Sequence, residues 1–244
     1  MKAVILAGGR GSRLEPYTHV FPKPLMPVGN RPILDIVLRQ LAWAGISEVI
    51  LTVGYQAAKL MKMVTAAGEF DLKIKYSVEK EPLGTAGPLK LISGLGRDFL
   101  VLNGDVLTDL DFKSFLDFHL KTGAVATIAS FRRNLDIDFG VIETKGNRVI
   151  DYYEKPRIES LVSMGVYAFR RDILKYIPSR RPFDFPELVH VLLDNDIHPA
   201  VYRHRGEWLD IGRPDDYKKA VQIFFRKSAR FLGAKDKSFS RRGR

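Results

Sequence analysis

Short apolar runs alternate with stretches of helical period from the first residues onward, and no other feature of the chain restricts its fold more. Residues 2–7 form a continuous run, apolar from Ala3 onward, suited to a strand buried on both faces. A loop rich in Gly, Arg and Pro follows from Gly8 to Gly29. Asn30 then reads as the cap of a helix opening with Arg31-Pro32, with an apolar face of Ile33, Leu34, Val37, Leu38 and Leu41 and a stop at Gly45. The pattern continues with strands at 48–53, 73–78 and 98–102 and helices at 56–66, 85–92 and 112–120. Strands and helices alternating at these lengths build a parallel α/β sheet with helices on both faces.

The second half changes character. Residues 124–130, 139–143, 148–153, 161–170, 201–204 and 207–211 read as strands, with a hairpin turn at Lys145-Gly146-Asn147. Short helices fit 172–176 and 186–193, and a last helix fits 214–225. These strands call for a mixed, partly antiparallel sheet. With 244 residues and no internal repeat, the chain reads as one α/β domain over 1–226. Residues 227–244 form a basic tail, expected to be solvated and mobile.

The chain has no cysteine, which excludes disulfides, thiolate metal sites and cysteine nucleophiles and fits a cytoplasmic address. The apolar run at the N-terminus is too short for a signal-peptide core or a membrane span, so no membrane partner is expected. A net charge of +11 favours anionic partners. Its basic residues are scattered rather than interleaved with aromatics, and no nucleic-acid motif is present. Phosphorylated small molecules are therefore expected, and nucleic acid is not.

The densest motif is Leu6-Ala7-Gly8-Gly9-Arg10-Gly11-Ser12-Arg13-Leu14, directly after the first strand, with Pro22-Lys23-Pro24 behind it. Ligands of open α/β sheets bind outside the carboxyl ends of the strands. Glycines there let backbone N–H groups approach a polyphosphate, and Arg13 and Lys23 add fixed positive charge. The spacing matches neither a Walker loop nor a dinucleotide fingerprint. Asp105 follows the strand at 98–102 beside Gly104 and is placed to hold Mg²⁺. Asp210, in a second strand-like segment, can supply another carboxylate.

These segments resemble the sugar-phosphate nucleotidyltransferases, also called nucleotide-sugar pyrophosphorylases. The resemblance rests on Ala7-Gly8-Gly9, Gly11-Ser12-Arg13-Leu14 and Pro22-Lys23-Pro24. It continues through Glu81-Pro82-Leu83-Gly84-Thr85-Ala86-Gly87, Asn103-Gly104-Asp105, Phe139-Gly140-Val141-Ile142-Glu143 and Glu154-Lys155-Pro156, then Gly165-Val166-Tyr167 and Trp208-Leu209-Asp210-Ile211-Gly212. It spans residues 1–226 and implies a single Rossmann-like domain, a mixed central sheet flanked by helices. The implied reaction joins a nucleoside triphosphate to a sugar 1-phosphate with Mg²⁺, releasing pyrophosphate.

The resemblance also implies residue roles. Leu6, Ala7, Gly8, Gly9, Gly11, Ser12, Arg13, Lys23, Pro82, Gly84, Thr85, Ala86, Asn103, Gly104 and Asp105 are expected on the nucleotide. Lys155 is expected on the sugar phosphate, with Glu154, Gly140, Ser163 and Gly165 around the sugar. Arg13, Lys23, Asp105 and Lys155 are the expected catalytic set, and Asp105 and Asp210 the metal pair. Ser163-Met164 departs from the common Asn-Ala, which leaves the sugar open. Gly84-Thr85-Ala86-Gly87 most resembles mannose-1-phosphate and heptose-phosphate guanylyltransferases, favouring GTP. A UTP- or dTTP-dependent glucose-1-phosphate enzyme is the alternative. A non-catalytic regulatory subunit is disfavoured because all five charged site residues are present. An appended β-helix is not expected, and a homo-oligomer stays open.

Overall fold

Strand β1 (Lys2–Leu6) has its central residues Ala3, Val4 and Ile5 wholly buried, as its unbroken apolar run requires. The structure, a computed structural model, describes residues 1–66 and 70–232. The Gly-rich loop after β1 holds two 3₁₀ turns, Ser12–Leu14 and Lys23–Leu25, around a one-turn helix α1 (Tyr17–Val20). Asn30 does not cap the next helix. It sits with Gly29 in the turn of a small ribbon, β2 (Pro27–Val28) against β3 (Arg31–Pro32). Helix α2 (Ile33–Trp43) therefore starts from Pro32.

Next come β4 (Glu48–Val53), α3 (Ala57–Ala66), β5 (Lys73–Val78) and β6 (Asp98–Asn103). The helix expected at 85–92 is instead a 3₁₀ turn, Gly87–Leu91. The Phe183 carbonyl accepts both the Ala86 and Gly87 N–H groups at 2.9 Å, and Pro88 has no N–H with which to continue a helical ladder. Strand β7 (Val106–Thr108) leads to α4 (Phe112–Thr122), capped by Asp111, whose Oδ1 accepts from the Lys113 and Ser114 N–H groups at 3.0 and 3.1 Å.

The second half contains β8 (Ala126–Asp136), β9 (Val141–Lys145), β10 (Arg148–Tyr153) and β11 (Arg157–Arg170). Gly146 and Asn147 form the two-residue turn of the β9–β10 hairpin. Then follow a 3₁₀ turn at Arg171–Tyr176, α5 (Phe185–Asp194), β12 (Ala200–His204), β13 (Trp208–Asp210) and α6 (Pro214–Leu232). Among the described residues the main sheet has seven strands in the order β12-β8-β11-β6-β1-β4-β5. Strands β6, β1, β4 and β5 run parallel, and β11 is antiparallel to both of its neighbours. The mixed sheet expected of the chain is thus present.

Each face of the sheet has its own core. One gathers Ile5, Leu38, Phe115 and Phe224 under α2, α4 and α6, and the other gathers Val4, Phe99, Phe169 and Phe185 under α5. Burying each such side chain contributes about 1.5–3 kcal/mol. The last helix runs beyond its expected end at residue 225 and, after a kink at Lys227, continues to Leu232. Phe231 and Leu232 are buried, and Gln40 Nε2 donates to the Phe231 carbonyl at 2.8 Å. Residues 227–232 therefore belong to the body rather than to the tail, and residues 233–244 lie outside the described residues. Among the described residues no helix is long and apolar enough to cross a membrane.

Candidate active site

Parallel strands deliver their carboxyl ends to one edge of a sheet, and the register here makes that edge level. Leu6, at the end of β1, pairs with Thr52 of β4 on one side and Asn103 of β6 on the other. All three residues line a cleft of about 430 Å³. Strand β5 adds Glu79, one residue past its last position.

Leu6, Ala7, Gly8, Gly9, Gly11, Ser12, Arg13, Lys23, Pro82, Gly84, Thr85, Asn103, Gly104 and Asp105 all line this cleft. Ala86 does not: it is wholly buried, and its N–H is bonded to the Phe183 carbonyl. It shapes the loop from Leu83 to Gly87 rather than facing the cavity. Glu79 and Thr52 were not anticipated. The rule that singles out Asp105, an acid just past the carboxyl end of a parallel strand, applies equally to Glu79 and would have found it.

Two glycines are required by geometry. Gly11 takes φ 66° to open the 3₁₀ turn carrying Ser12 and Arg13. Gly104 donates its N–H to the Leu6 carbonyl at 2.9 Å, and a Cβ there would stand 2.8 Å from that same oxygen. Only glycine lets the Asp105 turn come this close to the end of β1.

The charges converge from separate elements. Lys23, held in its 3₁₀ turn between two prolines, forms an ion pair with Asp105. Asp105 lies just before β7, and β13 pairs antiparallel with β7 so that Asp210 stands opposite Val106. The Ile211 N–H donates to the Asp105 carbonyl at 3.3 Å, tying the two acid-bearing segments together. Asp210 is exposed and does not itself line the cleft, but its carboxyl lies against Gly212, which does, and is partly crowded by protein. That crowding raises its pKa above the ordinary aspartate value, Asp105 raises it further, and Lys23 and Arg13 oppose the rise. Burial likewise raises the pKa of Glu79, against the Leu83 N–H and the nearby Thr52 hydroxyl. Asn103 Oδ1 is buried without a hydrogen-bond partner, so a polar atom lining the cleft has unused capacity.

A carboxylate whose proton affinity is raised by a second carboxylate beside it suits a divalent cation. Among the described residues no group of three or more His, Cys, Asp or Glu side chains converges. Two protein carboxylates with phosphate and water oxygens completing the shell is the manner in which Mg²⁺ is commonly bound. The donor set at Asp105 and Asp210 fits that ion.

The residues expected around the sugar divide into two groups. Ser163 and Gly165 sit at a bulge in β11, and Gly165 takes φ 71° against the Asn103 side chain at the cleft. Gly140, Glu154 and Lys155 do not line the cleft. They lie in exposed turns on either side of the β9–β10 hairpin, where Tyr152 donates to Glu154 Oε2 at 2.8 Å and Lys155 takes φ 46°. A left-handed lysine is strained by about 1–3 kcal/mol. Histidine plays no part in the cleft: His119 is buried against Thr127 Oγ1 at 2.7 Å, and His204 is bonded to Asp109 at 3.0 Å.

Comparison with known proteins agrees with this geometry. The nucleotidyl transferase family model matches residues 2–226. A mannose-1-phosphate guanyltransferase of Aspergillus oryzae is 36% identical over 234 residues, covering 92% of this chain and 64% of the relative. A UTP–glucose-1-phosphate uridylyltransferase of Synechocystis is 32% identical, covering 91% of this chain and 63% of the relative. The chain thus spans less than two thirds of the length of the curated relatives it matches. The solved structure of HddC from Yersinia pseudotuberculosis superposes with a TM-score of 0.73 at 27% identity, covering 91% of this chain and 99% of that one. A second structure of HddC, complexed with GMP-PN, has a TM-score of 0.69 at 25% identity. The glycine-lined cleft at the carboxyl edge of a mixed sheet and the match over residues 2–226 lead to one conclusion: the chain belongs to the nucleotidyl transferase family.

Proposed function

We propose that this protein transfers a guanylyl group from GTP to a mannose-like or heptose 1-phosphate, giving a GDP-sugar and pyrophosphate. The observation that carries the reading is the convergence of Arg13, Lys23 and Asp105 on the glycine-lined cleft, with Asp210 paired beside Asp105. A phosphate oxygen of the sugar 1-phosphate attacks the α-phosphorus in line, and pyrophosphate leaves. Both reactants are anions, so alignment and charge neutralisation are what the protein must supply. Arg13 takes the leaving pyrophosphate and Lys23 the triphosphate near the reacting centre. Asp105 and Asp210 would hold Mg²⁺, which when bound neutralises and aligns the phosphates. The attacking phosphate is already ionised, so no general base is required, in keeping with a cleft that contains no histidine.

Glu79 supports the choice of guanine. Its half-buried carboxylate lies in the cleft beside the loop from Pro82 to Thr85. Guanine presents N1–H and a 2-amino group side by side, and a carboxylate can accept from both. Adenine lacks that donor pair and would leave the buried acceptor unpaired. GTP is therefore expected over ATP by about a hundredfold or more in kcat/KM. Glu79→Gln should erase most of this preference while Tm is kept, because the substitution removes a desolvated charge. Burial raises the Glu79 pKa, so acidification protonates it earlier than an exposed glutamate. The KM for GTP should then rise as pH falls toward that raised value and stay flat above it.

The test is pyrophosphate release with GTP, ATP, UTP and dTTP against mannose, heptose and glucose 1-phosphates. A UTP or dTTP preference with every sugar would overturn the guanylyl reading and leave the family assignment intact.

A further inference from the structure

The loop from Pro82 to Thr85 lines the cleft, and it is held from behind by residues 183–185, which do not. Main-chain bonds join the two segments first. The Phe183 N–H donates to the Leu83 carbonyl at 2.9 Å, and the Phe183 carbonyl accepts from Ala86 and Gly87. Side chains complete the join. Asp184 Oδ1 accepts from the Thr85 N–H at 2.7 Å and from the Thr85 hydroxyl at 3.0 Å. The Thr85 oxygen in turn accepts from the Phe185 N–H at 2.9 Å. That N–H opens α5, where a helix has no acceptor of its own to offer. The hydroxyl that satisfies it comes from the cleft loop, 100 positions away in the chain.

The anchor behind the loop is firm. Phe183 and Phe185 flank Asp184, and both are buried in the core on the α5 face of the sheet. The Phe185 ring centre lies 4.3 Å from that of Tyr167 and 5.8 Å from that of Phe169. The Asp184 N–H donates to Glu187 Oε2 at 2.8 Å within the first turn of α5. Neighbours packed on both sides thus fix the backbone of Asp184, although its own side is exposed. The fit to the loop leaves no slack. A Cβ on Gly84 would stand 2.7 Å from Asp184 Oδ1 and 2.7 Å from the Phe183 carbonyl.

We propose that Asp184 is a positioning residue for nucleobase binding: without lining the cleft, it holds Thr85 and Gly84 where they meet the base. This rests on the reading above that the loop from Pro82 to Thr85 faces the base of a nucleoside triphosphate. A glycine-containing loop left free would have to be ordered by each ligand, and that ordering weakens binding. A loop fixed beforehand presents its polar groups at set positions, which is what discrimination by hydrogen bonding requires. Among the described residues the segment 183–185 has no hydrogen bond to the phosphate loop at 8–23. Affinity for the base therefore runs through Asp184, and affinity for the phosphates does not.

Asp184→Ala should weaken binding of a non-hydrolysable GTP analogue by about tenfold or more, the order set by losing a hydrogen bond to a charged acceptor. Affinity for inorganic tripolyphosphate, which carries no base, should be unchanged. In turnover the KM for nucleotide should rise by a like factor, kcat at saturation should hold, and the preference between bases should narrow. Asp184→Asn keeps an oxygen at the same place and should recover most of the affinity. Gly84→Ala drives a methyl group against that oxygen and should reproduce the loss. Glu187→Ala is the structural control. It loosens the same helix start without a bond to the loop, so it should lower Tm and leave analogue binding intact. Wild-type analogue affinity in a folded Asp184→Ala variant would overturn the proposal. So would an equal loss of tripolyphosphate affinity, or Glu187→Ala matching Asp184→Ala in lost analogue affinity. A wild type that prefers UTP or dTTP would count against the guanylyl reading alone, because the same comparison with that nucleotide's analogue still tests Asp184.

Discussion

Asp105→Asn is expected to lower kcat by about 10³-fold at saturating substrates, the scale of several kcal/mol of charge stabilisation withdrawn from a metal-assisted transition state. A neutral amide binds Mg²⁺ weakly, and Asp210 alone would offer one carboxylate where the proposed pair offers two. The fold should survive. Asp105 lies in a turn, and its side chain pairs with Lys23 rather than with the core. Unchanged Tm with lost turnover is thus the predicted combination. Raising Mg²⁺ should restore part of the rate, because the defect lies in ion binding. A variant with near wild-type turnover at limiting Mg²⁺ would contradict the assignment.

Lys23→Ala should cost about 10²–10³-fold in kcat, as for removal of one preorganised charge donor, and less in the KM for nucleotide. Its side chain is largely shielded from water and held by a 3₁₀ turn between Pro22 and Pro24. Little reorganisation is needed to present the ammonium to developing charge. Steady-state kinetics separates the alternatives: a raised KM with unchanged kcat would reduce Lys23 to ground-state binding.

Much of this cleft is legible in the chain because it follows from local rules. A strand buried on both faces reads as an apolar run, and the Gly-rich turn that leaves it reads as glycines with fixed charges behind them. Ala86 differs because its environment depends on Phe183, almost a hundred positions away. The extension of α6 is obscured by Arg226-Lys227, polar residues that mask the apolar contacts of Phe231 and Leu232. The outer ends of β8 and β11 are the least legible. Strand β8 runs on to Asp136 and β11 starts at Arg157, past the expected limits at 130 and 161, since Arg132-Arg133-Asn134 interrupts the alternation that a buried face would impose. A segment without a buried face carries no period to read.

The central claim, attack by the sugar phosphate at the α-phosphorus, is tested most directly by following ¹⁸O. The enzyme would be supplied with GTP, Mg²⁺ and mannose 1-phosphate labelled with ¹⁸O in its phosphate group, and the products read by mass spectrometry. The account predicts one unlabelled pyrophosphate for each sugar nucleotide formed, with all the label retained in the sugar nucleotide. Label in the pyrophosphate, or GDP released in place of pyrophosphate, would contradict it.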